Sequence, residues 1–258
     1  MVPQRMIAVA NQKGGSGKTT TAVSLAAALA HAGHRTLLLD LDPQANATSW
    51  LLPGVDTPTA TVYDMLVSEA HSVAETMCGT THANLSIIPS SLRLATADLQ
   101  LASELGGELF LRNRLQETVE KFDFIVVDCS PSLDLIVINA LVAADEVLIP
   151  VPPDHLNMEG LDQLLTTVTK VRRLFNPKLH VLGILISRYD ARGSAAREAA
   201  TLMRENLGDQ VFDTMIHASV RLQEAPSHGK TIEEYAPRSQ PARDFAQLAQ
   251  EVIARGRR

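Results

Sequence analysis

The sequence predicts an α/β fold, a doubly wound and mostly parallel sheet with helices on both faces, carrying a phosphate-binding loop of deviant form. Three observations predict it. Six short runs rich in β-branched and other apolar residues recur along the chain, helical patterns separate most of them, and a glycine-rich loop joins the first run to the first helical pattern. The runs are nearly continuous in apolar residues rather than alternating, as strands covered on both faces must be. Strand and helix in alternation are the signature of a parallel sheet.

The first run, MIAVA (6 to 10), leads into NQKGGSGKTT (11 to 20). Gly14, Gly15 and Gly17 let the backbone approach a ligand and turn its N–H groups inward, and the helix that follows presents its positive end to phosphates. In such a loop Lys18 holds the β- and γ-phosphates and the Thr19 hydroxyl binds Mg²⁺. The helix TTTAVSLAAALAHAG stops at Gly33. One feature departs from the common pattern: Gln12 stands where a glycine is usual, and Lys13 follows it. Tight-turn geometry gives lysine no advantage, so Lys13 is either a solvated surface residue or a second cation aimed at phosphate across a dimer interface.

The second run, TLLLD (36 to 40), delivers DLDPQANATS. Asp40 and Asp42 are two apart, so an extended strand faces them the same way, and Pro43 ends the strand beside the phosphate loop. A carboxylate there can orient water or bind metal; either residue can also serve as a loop cap. LSIIP (85 to 89) is the third run, and FIVVD (124 to 128) the fourth, ending in Asp128 where a strand-end aspartate helps to hold Mg²⁺ through its hydration shell. No glutamate follows Asp128, which leaves Asp42 as the best-placed carboxylate for activating water. EVLIPV (146 to 151) precedes the helix LDQLLTTVTKVRRLF, which ends before Asn176-Pro177, and VLGILIS (181 to 187) is the sixth run. The last segment, ARDFAQLAQEVIARGRR, sets Phe245, Leu248, Ala249, Val252 and Ile253 on one helical face, with its basic residues bunched at the end; this stripe is expected to dock on the sheet.

The 258 residues, 45% hydrophobic, suffice for a sizeable core, and no composition shift or low-complexity linker marks a boundary, so a single domain across 1–258 is expected. The net charge of -6 is uneven, with -7 in the first 186 residues and +1 in the arginine-rich remainder. A local basic patch for nucleic acid therefore remains compatible with the overall acidity. Cys78 and Cys129 make no disulfide framework, no export signal opens the chain, and no apolar run reaches the roughly 20 residues that span a bilayer, so the expected location is the reducing cytoplasm.

Taken together, ANQKGGSGKTT (10 to 20), DLDPQANAT (40 to 48), DCSPSL (128 to 133) and VRLQEAPSHGK (220 to 230) resemble the ParA/Soj partition ATPases of the ParA/MinD deviant Walker A superfamily. INALVAADEVLIPV (138 to 151) and EGLDQLL (159 to 165) resemble family segments too, so the likeness spans nearly the whole chain. It implies an Mg²⁺-dependent ATPase with slow intrinsic turnover whose nucleotide, bound by Lys13, Gly14, Gly15, Ser16, Gly17, Lys18, Thr19 and Thr20, draws two subunits into a sandwich dimer. Lys13 then matches the lysine that reaches the partner's nucleotide, Lys18 and Thr19 the phosphate and Mg²⁺ groups, Asp42 the aspartate needed for hydrolysis, and Asp128 the Walker B residue, with Thr19, Asp42 and Asp128 around the metal. Arg192 and Arg221 match arginines that bind double-stranded DNA without sequence preference. A ParB-type centromere-binding protein would stimulate hydrolysis, and the protein would associate with the nucleoid and with no membrane.

Departures from the family pattern are few. Ser16 replaces a common valine and adds a hydroxyl close to the phosphates. Ala45 replaces the glycine of DPQGN and is expected to stiffen that loop, and Ser130 replaces a proline. His217-Ala218 stands where Pro-Arg is common, so a basic residue is missing and Lys230, Arg238 or Arg243 would have to compensate. The alternative within the superfamily is a MinD-type membrane-associated cell-division ATPase, but the final helix lacks the large apolar residues that an amphipathic membrane anchor requires. An iron–sulfur ATPase is disfavoured because Cys129 should point away from Asp128 into the core and Cys78 lies in a loop-like segment. A metabolic ligase of the dethiobiotin synthetase type is disfavoured by VRLQEAPSHGK.

Overall fold

The computed structural model describes residues 4–55, 58–68, 71–116, 122–153 and 158–256; Arg257 and Arg258 of the basic tail lie outside them. Eight strands form one sheet: β1 (Arg5–Val9), β2 (Thr36–Leu41), β3 (Cys78–Gly79), β4 (Leu85–Ile88), β5 (Phe124–Cys129), β6 (Glu146–Val151), β7 (His180–Tyr189) and β8 (Val211–His217). Their spatial order is β3-β4-β2-β5-β1-β6-β7-β8, and every pairing is parallel except that of the short edge strand β3 with β4. All residues of β1, β2, β5 and β6 are buried, which is why their sequences lack alternation.

Two strands, β3 and β8, carry no continuous apolar run in the sequence. β3 is only two residues long, and it places Cys78 in a strand rather than a loop. β8, VFDTMIH, closes the other edge with Asp213 exposed, so its pattern is mixed and carries no continuous apolar run.

Helices cover both faces. On one lie α1 (Lys18–His31) and the final helix (Gln240–Arg255), packed on each other and on the sheet through Leu25, Leu29, Phe245, Leu248 and Val252. α1 is buried over most of its circumference, as its alanine-rich sequence permits. The final helix starts at Ser239, whose hydroxyl accepts from the N–H of Ala242 at 3.3 Å, and its predicted stripe docks as expected: Phe245, Leu248, Ala249 and Val252 are buried and Ile253 partly so. The helices Leu135–Ala143 and Met158–Leu174 cover the opposite face, where Cys129 is buried as predicted. Among the described residues no helix is long and apolar enough to cross a membrane.

Two local arrangements fix how these layers meet. Arg5 on β1 forms a buried two-pronged pair with Glu146 on β6, with Nη2 2.6 Å and Nε 3.0 Å from Oε2, and donates from Nη1 to the carbonyl of Val252 at 2.8 Å. The segment 220–230 folds as a short helix (Val220–Glu224) and a turn ending at Gly229, which has φ +58°. A Cβ at Gly229 would sit 2.6 Å from Pro53 Cγ, and the neighbouring Lys230 carbonyl accepts from Trp50 Nε1 at 2.8 Å. That late segment therefore clamps the helix (Asn46–Leu51) that follows Asp42.

Two stability predictions follow from these contacts. Glu146→Ala leaves a buried guanidinium uncompensated and should cost about 3–5 kcal/mol in denaturant unfolding; a loss below about 1 kcal/mol would mean that water replaces the partner. Gly229→Ala combines left-handed backbone strain with the Pro53 clash and should cost roughly 2–4 kcal/mol, measured the same way.

Candidate functional site

The carboxyl ends of the parallel strands meet the amino end of α1, and a cleft of about 540 Å³ opens there. The phosphate loop forms its floor. Gly15 and Gly17 adopt φ +73° and +88°, values that only glycine takes without strain, whereas Gln12 has no positive φ. The absent glycine at position 12 therefore costs the loop nothing. Lys18, the first residue of α1, curls back so that Nζ donates to the carbonyl of Lys13 at 3.2 Å. Burial pushes the Lys18 ammonium below its ordinary pKa, and Asp128, Cys129 and Asp42 partly oppose that shift.

The three predicted carboxylates have different settings. Asp40 is fully buried and serves the loop: Oδ2 accepts from the Thr48 amide and hydroxyl at 2.9 and 2.7 Å, and Oδ1 from the Asp42 amide at 3.1 Å. Burial nonetheless lifts its pKa to about 6. Asp42, just past the end of β2, lines the cleft, and its Oδ1 accepts from the Gln44 amide at 2.9 Å, which fixes the carboxylate's orientation. Asp128 faces Asp40 in register across β2 and β5. Both its oxygens are buried and neither has a hydrogen bond of ordinary length. Burial, reinforced by Asp40 and Asp42, holds Asp128 well above the usual carboxylate range, with Thr19 and Lys18 offsetting part of the shift.

Other predicted positions separate clearly. Gly14, Gly15, Gly17, Lys18, Thr19 and Thr20 line the cleft. Lys13 is exposed and does not line the cleft of its own chain. Ser16 corrects an expectation: its side chain is wholly buried and its hydroxyl lies off the cleft lining, so it does not face the phosphate region as predicted. Ala45 takes φ +51°, so the residue expected to stiffen the loop does so in a conformation that glycine occupies without penalty.

Arg192 and Arg221 lie outside the cleft, in segments that follow the neighbouring strands β7 and β8. Each is exposed and ion-paired within the chain, Arg192 to Asp190 through two bonds of 3.0 Å and Arg221 to Glu224 at 3.0 Å. Arg243 is also exposed and bonds to the Arg238 carbonyl at 2.8 Å.

The second wall of the cleft comes from the ends of β7 and β8 and from the segment that follows β8. Ser187 Oγ donates to the Ser16 carbonyl at 2.8 Å, and Arg188, in left-handed backbone geometry with φ +52°, donates to the Gly15 carbonyl at 2.9 Å. Asn11 ties the loop to β6 by donating to the Pro150 carbonyl at 2.7 Å. His217 also lines the cleft, with Nδ1 2.9 Å from the buried carboxylate of Asp244. Ile216, Leu222 and Pro226 add an apolar side. A Gly-rich loop, a buried lysine, fixed carboxylates and an apolar wall together can take a nucleoside polyphosphate.

Two predictions follow from these settings. An acid whose folded pKa is raised binds its proton more tightly in the folded state, so its stabilising share is complete below the unfolded value and is lost as pH rises through the folded one. For Asp40 that window runs from the ordinary 3.8 to about 6, and Asp128 acts in the same direction. The ligand-free protein should thus lose stability between pH 4 and pH 7, and Asp128→Asn should flatten that slope in thermal melts at each pH. Ala45→Gly should relieve the left-handed strain and add about 0.5–1 kcal/mol in denaturant unfolding.

Comparison with known proteins agrees with this geometry. The family model described as AAA domain matches residues 4–181. Sporulation initiation inhibitor protein Soj of Bacillus subtilis is 44% identical over 254 residues, covering 98% of this chain and 99% of that protein. Chromosome partitioning protein ParA of Caulobacter vibrioides is 38% identical over 257 residues, covering 99% and 96%. Among solved structures, cobyrinic acid a,c-diamide synthase of Mycobacterium smegmatis, with bound ATP analog and magnesium, superposes with a TM-score of 0.86 at 30% identity, covering 98% of this chain and 96% of that one. With its sheet, its deviant phosphate loop and its full-length similarity to these relatives, the chain belongs to the Soj/ParA family of chromosome-partitioning ATPases.

Proposed function

We propose that this chain is a single 258-residue DNA-partition ATPase unit that binds ATP and Mg²⁺, dimerises around the nucleotide and holds DNA without sequence preference until hydrolysis releases it. The observation that carries the reading is the pairing of a glycine-rich loop and buried Lys18 with the buried carboxylate of Asp128, which Thr19 and Lys18 face. That donor set fits a hydrated Mg²⁺. Among the described residues no three His, Cys, Asp or Glu side chains are placed to hold an ion, and Mg²⁺ is ordinarily held by one or two protein groups together with phosphates and water.

In this reading the amides of residues 14–20 and the Lys18 ammonium hold the phosphates, and Thr19, Asp42 and Asp128 hold the metal and its water shell. When bound, Mg²⁺ neutralises charge on the β- and γ-phosphates. Asp42, already oriented by the Gln44 amide, positions the attacking water. Most of the catalysis is positioning and electrostatics, and no covalent intermediate on the protein is needed. Without a strong general base the intrinsic rate is slow. Lys13 serves the nucleotide of a second copy in this reading, which its exposure outside its own cleft supports.

Arg192 and Arg221 bind the DNA backbone after exchanging Asp190 and Glu224 for phosphate, an exchange that solvent-accessible ion pairs permit. Dimerisation doubles the number of contacts, so attachment follows the nucleotide state without movement of either arginine. A ParB-type protein stimulates hydrolysis, and the protein resides on the nucleoid. The docked face of the final helix argues against the membrane-associated alternative, because its apolar stripe is already covered.

Retention on duplex DNA should require ATP, fail with ADP, and fall at least tenfold in Arg192→Ala and Arg221→Ala; equal retention in all conditions would refute the reading. The logarithmic salt dependence should approach a slope of about -3.6 if four arginines per dimer meet phosphates. Asp42→Ala should bind ATP and DNA yet not turn over, and substantial phosphate release by that variant would remove Asp42 from its assigned role.

A further inference from the structure

The cleft above the phosphate loop holds a second permanent cation besides Lys18. Arg188, the penultimate residue of β7, also lines it. The residue is exposed, and its Nη1 donates to the Gly15 carbonyl at 2.9 Å. A Cβ built on Gly15 would lie 3.6 Å from the same nitrogen, so the guanidinium rests against the loop itself. Among the described residues no carboxylate pairs with it, whereas the neighbouring Arg192 and the later Arg221 are each held by an acid. One neutral carbonyl leaves the charge and the remaining N–H donors open to a ligand in the cleft. The backbone at Arg188 is held at φ +52°, a conformation that non-glycine residues keep chiefly at functional sites.

Strand order decides which part of a nucleotide the guanidinium meets. Across the site the sheet runs β2-β5-β1-β6-β7-β8. Asp42 and Asp128 stand at the ends of β2 and β5, and the phosphate loop leaves β1. The apolar wall of Ile216, Leu222 and Pro226 comes from β8 and the segment after it. A nucleotide with its metal-bound end over β5 and its base on the apolar wall carries the phosphates nearest the nucleoside past β7.

We propose that Arg188 is a further nucleotide-binding residue, which grips the α- and β-phosphates with the donors that Gly15 leaves free. The inference rests on the nucleotide reading of the cleft and adds a residue to it. Guanidinium-to-phosphate bonds are charge-assisted and strong, and arginine suits them because its planar fork presents parallel donors. ATP and ADP share these phosphates, so Arg188 sets the affinity for both and does not sense the third phosphate. DNA phosphates offer the same chemistry; the place of Arg188 in the cleft lining favours the nucleotide.

The test is calorimetric titration of the full chain, in Mg²⁺, with ADP and with a non-hydrolysable ATP analogue. Arg188→Ala should weaken both by about tenfold and reduce the salt dependence of binding, because a charge contact has been removed. Arg188→Lys keeps the cation and should recover part of the affinity and the salt dependence. Ser187→Ala removes the neighbouring grip on the Ser16 carbonyl without removing charge, and should leave the salt dependence as it was. With saturating nucleotide, Arg188→Ala should be retained on duplex DNA as wild type is. Wild-type protein that binds neither nucleotide would refute the underlying reading and the proposal with it. Wild-type binding with undiminished affinity in Arg188→Ala would overturn the proposal alone. A loss confined to the ATP analogue would overturn it too, and so would equal losses in Arg188→Lys and Arg188→Ala with unchanged salt dependence, which would make the residue a brace for the loop.

Discussion

The interaction on which the site depends is the meeting of one buried ammonium with buried carboxylates at the carboxyl ends of adjacent parallel strands. Lys18 opens α1 directly after the loop that leaves β1, and Asp128 is the penultimate residue of β5, the strand paired with β1. The register sets Val9 beside Asp128 and Asp128 beside Asp40, so the charges converge without any long loop to carry them. Desolvation works against every member, lowering the lysine pKa and raising those of Asp40 and Asp128. Such a cluster is poorly satisfied by itself and better satisfied by a polyanion and a divalent cation together. The fold thus supplies binding energy by leaving the polar groups incompletely paired.

The loop is held from outside as much as by its own glycines. Strand β6 receives Asn11, and the end of β7 grips two successive loop carbonyls through Ser187 and Arg188. Arg188 takes an uncommon left-handed backbone conformation to make its contact, a strain of the kind that functional sites retain. Four residues further on stands Arg192, so the segment that steadies the phosphate loop also leads to a candidate DNA contact. The segment around Arg221 is tied similarly, because its Gly229 turn presses on Pro53 and on the helix that positions Asp42.

The two arginines form ion pairs inside the monomer. Pairing with an acid three or fewer residues away holds each guanidinium near the surface while lowering its attraction for stray anions. Under the proposed function, two such arginines would hold DNA weakly in one copy and more firmly in a pair of copies. Ala218 adds no charge of its own, and its neighbour His217 is drawn back to Asp244 in the cleft wall.

The sequence by itself determined the six principal strands, the parallel topology, the phosphate loop and the residues at the strand ends, because each is encoded locally. Fully buried strands must be continuous in apolar residues, and a loop that cradles phosphate must place glycine at a few fixed positions. Residues 40, 42 and 128 were legible for the same reason, standing where an apolar run stops. Tertiary structure alone decided the division of labour among them: Asp40 is consumed by Thr48, Asp42 lines the cleft, and Asp128 lies buried beside Thr19 and Lys18. It also decided that Ser16 turns inward, that β8 closes the sheet despite its mixed pattern, and that Ser187, Arg188 and His217 form the second wall. These residues lie roughly 170 to 200 positions from the loop they face, and a contact over that separation leaves no periodicity or spacing in the chain; only the parallel register of the folded sheet brings the two ends together.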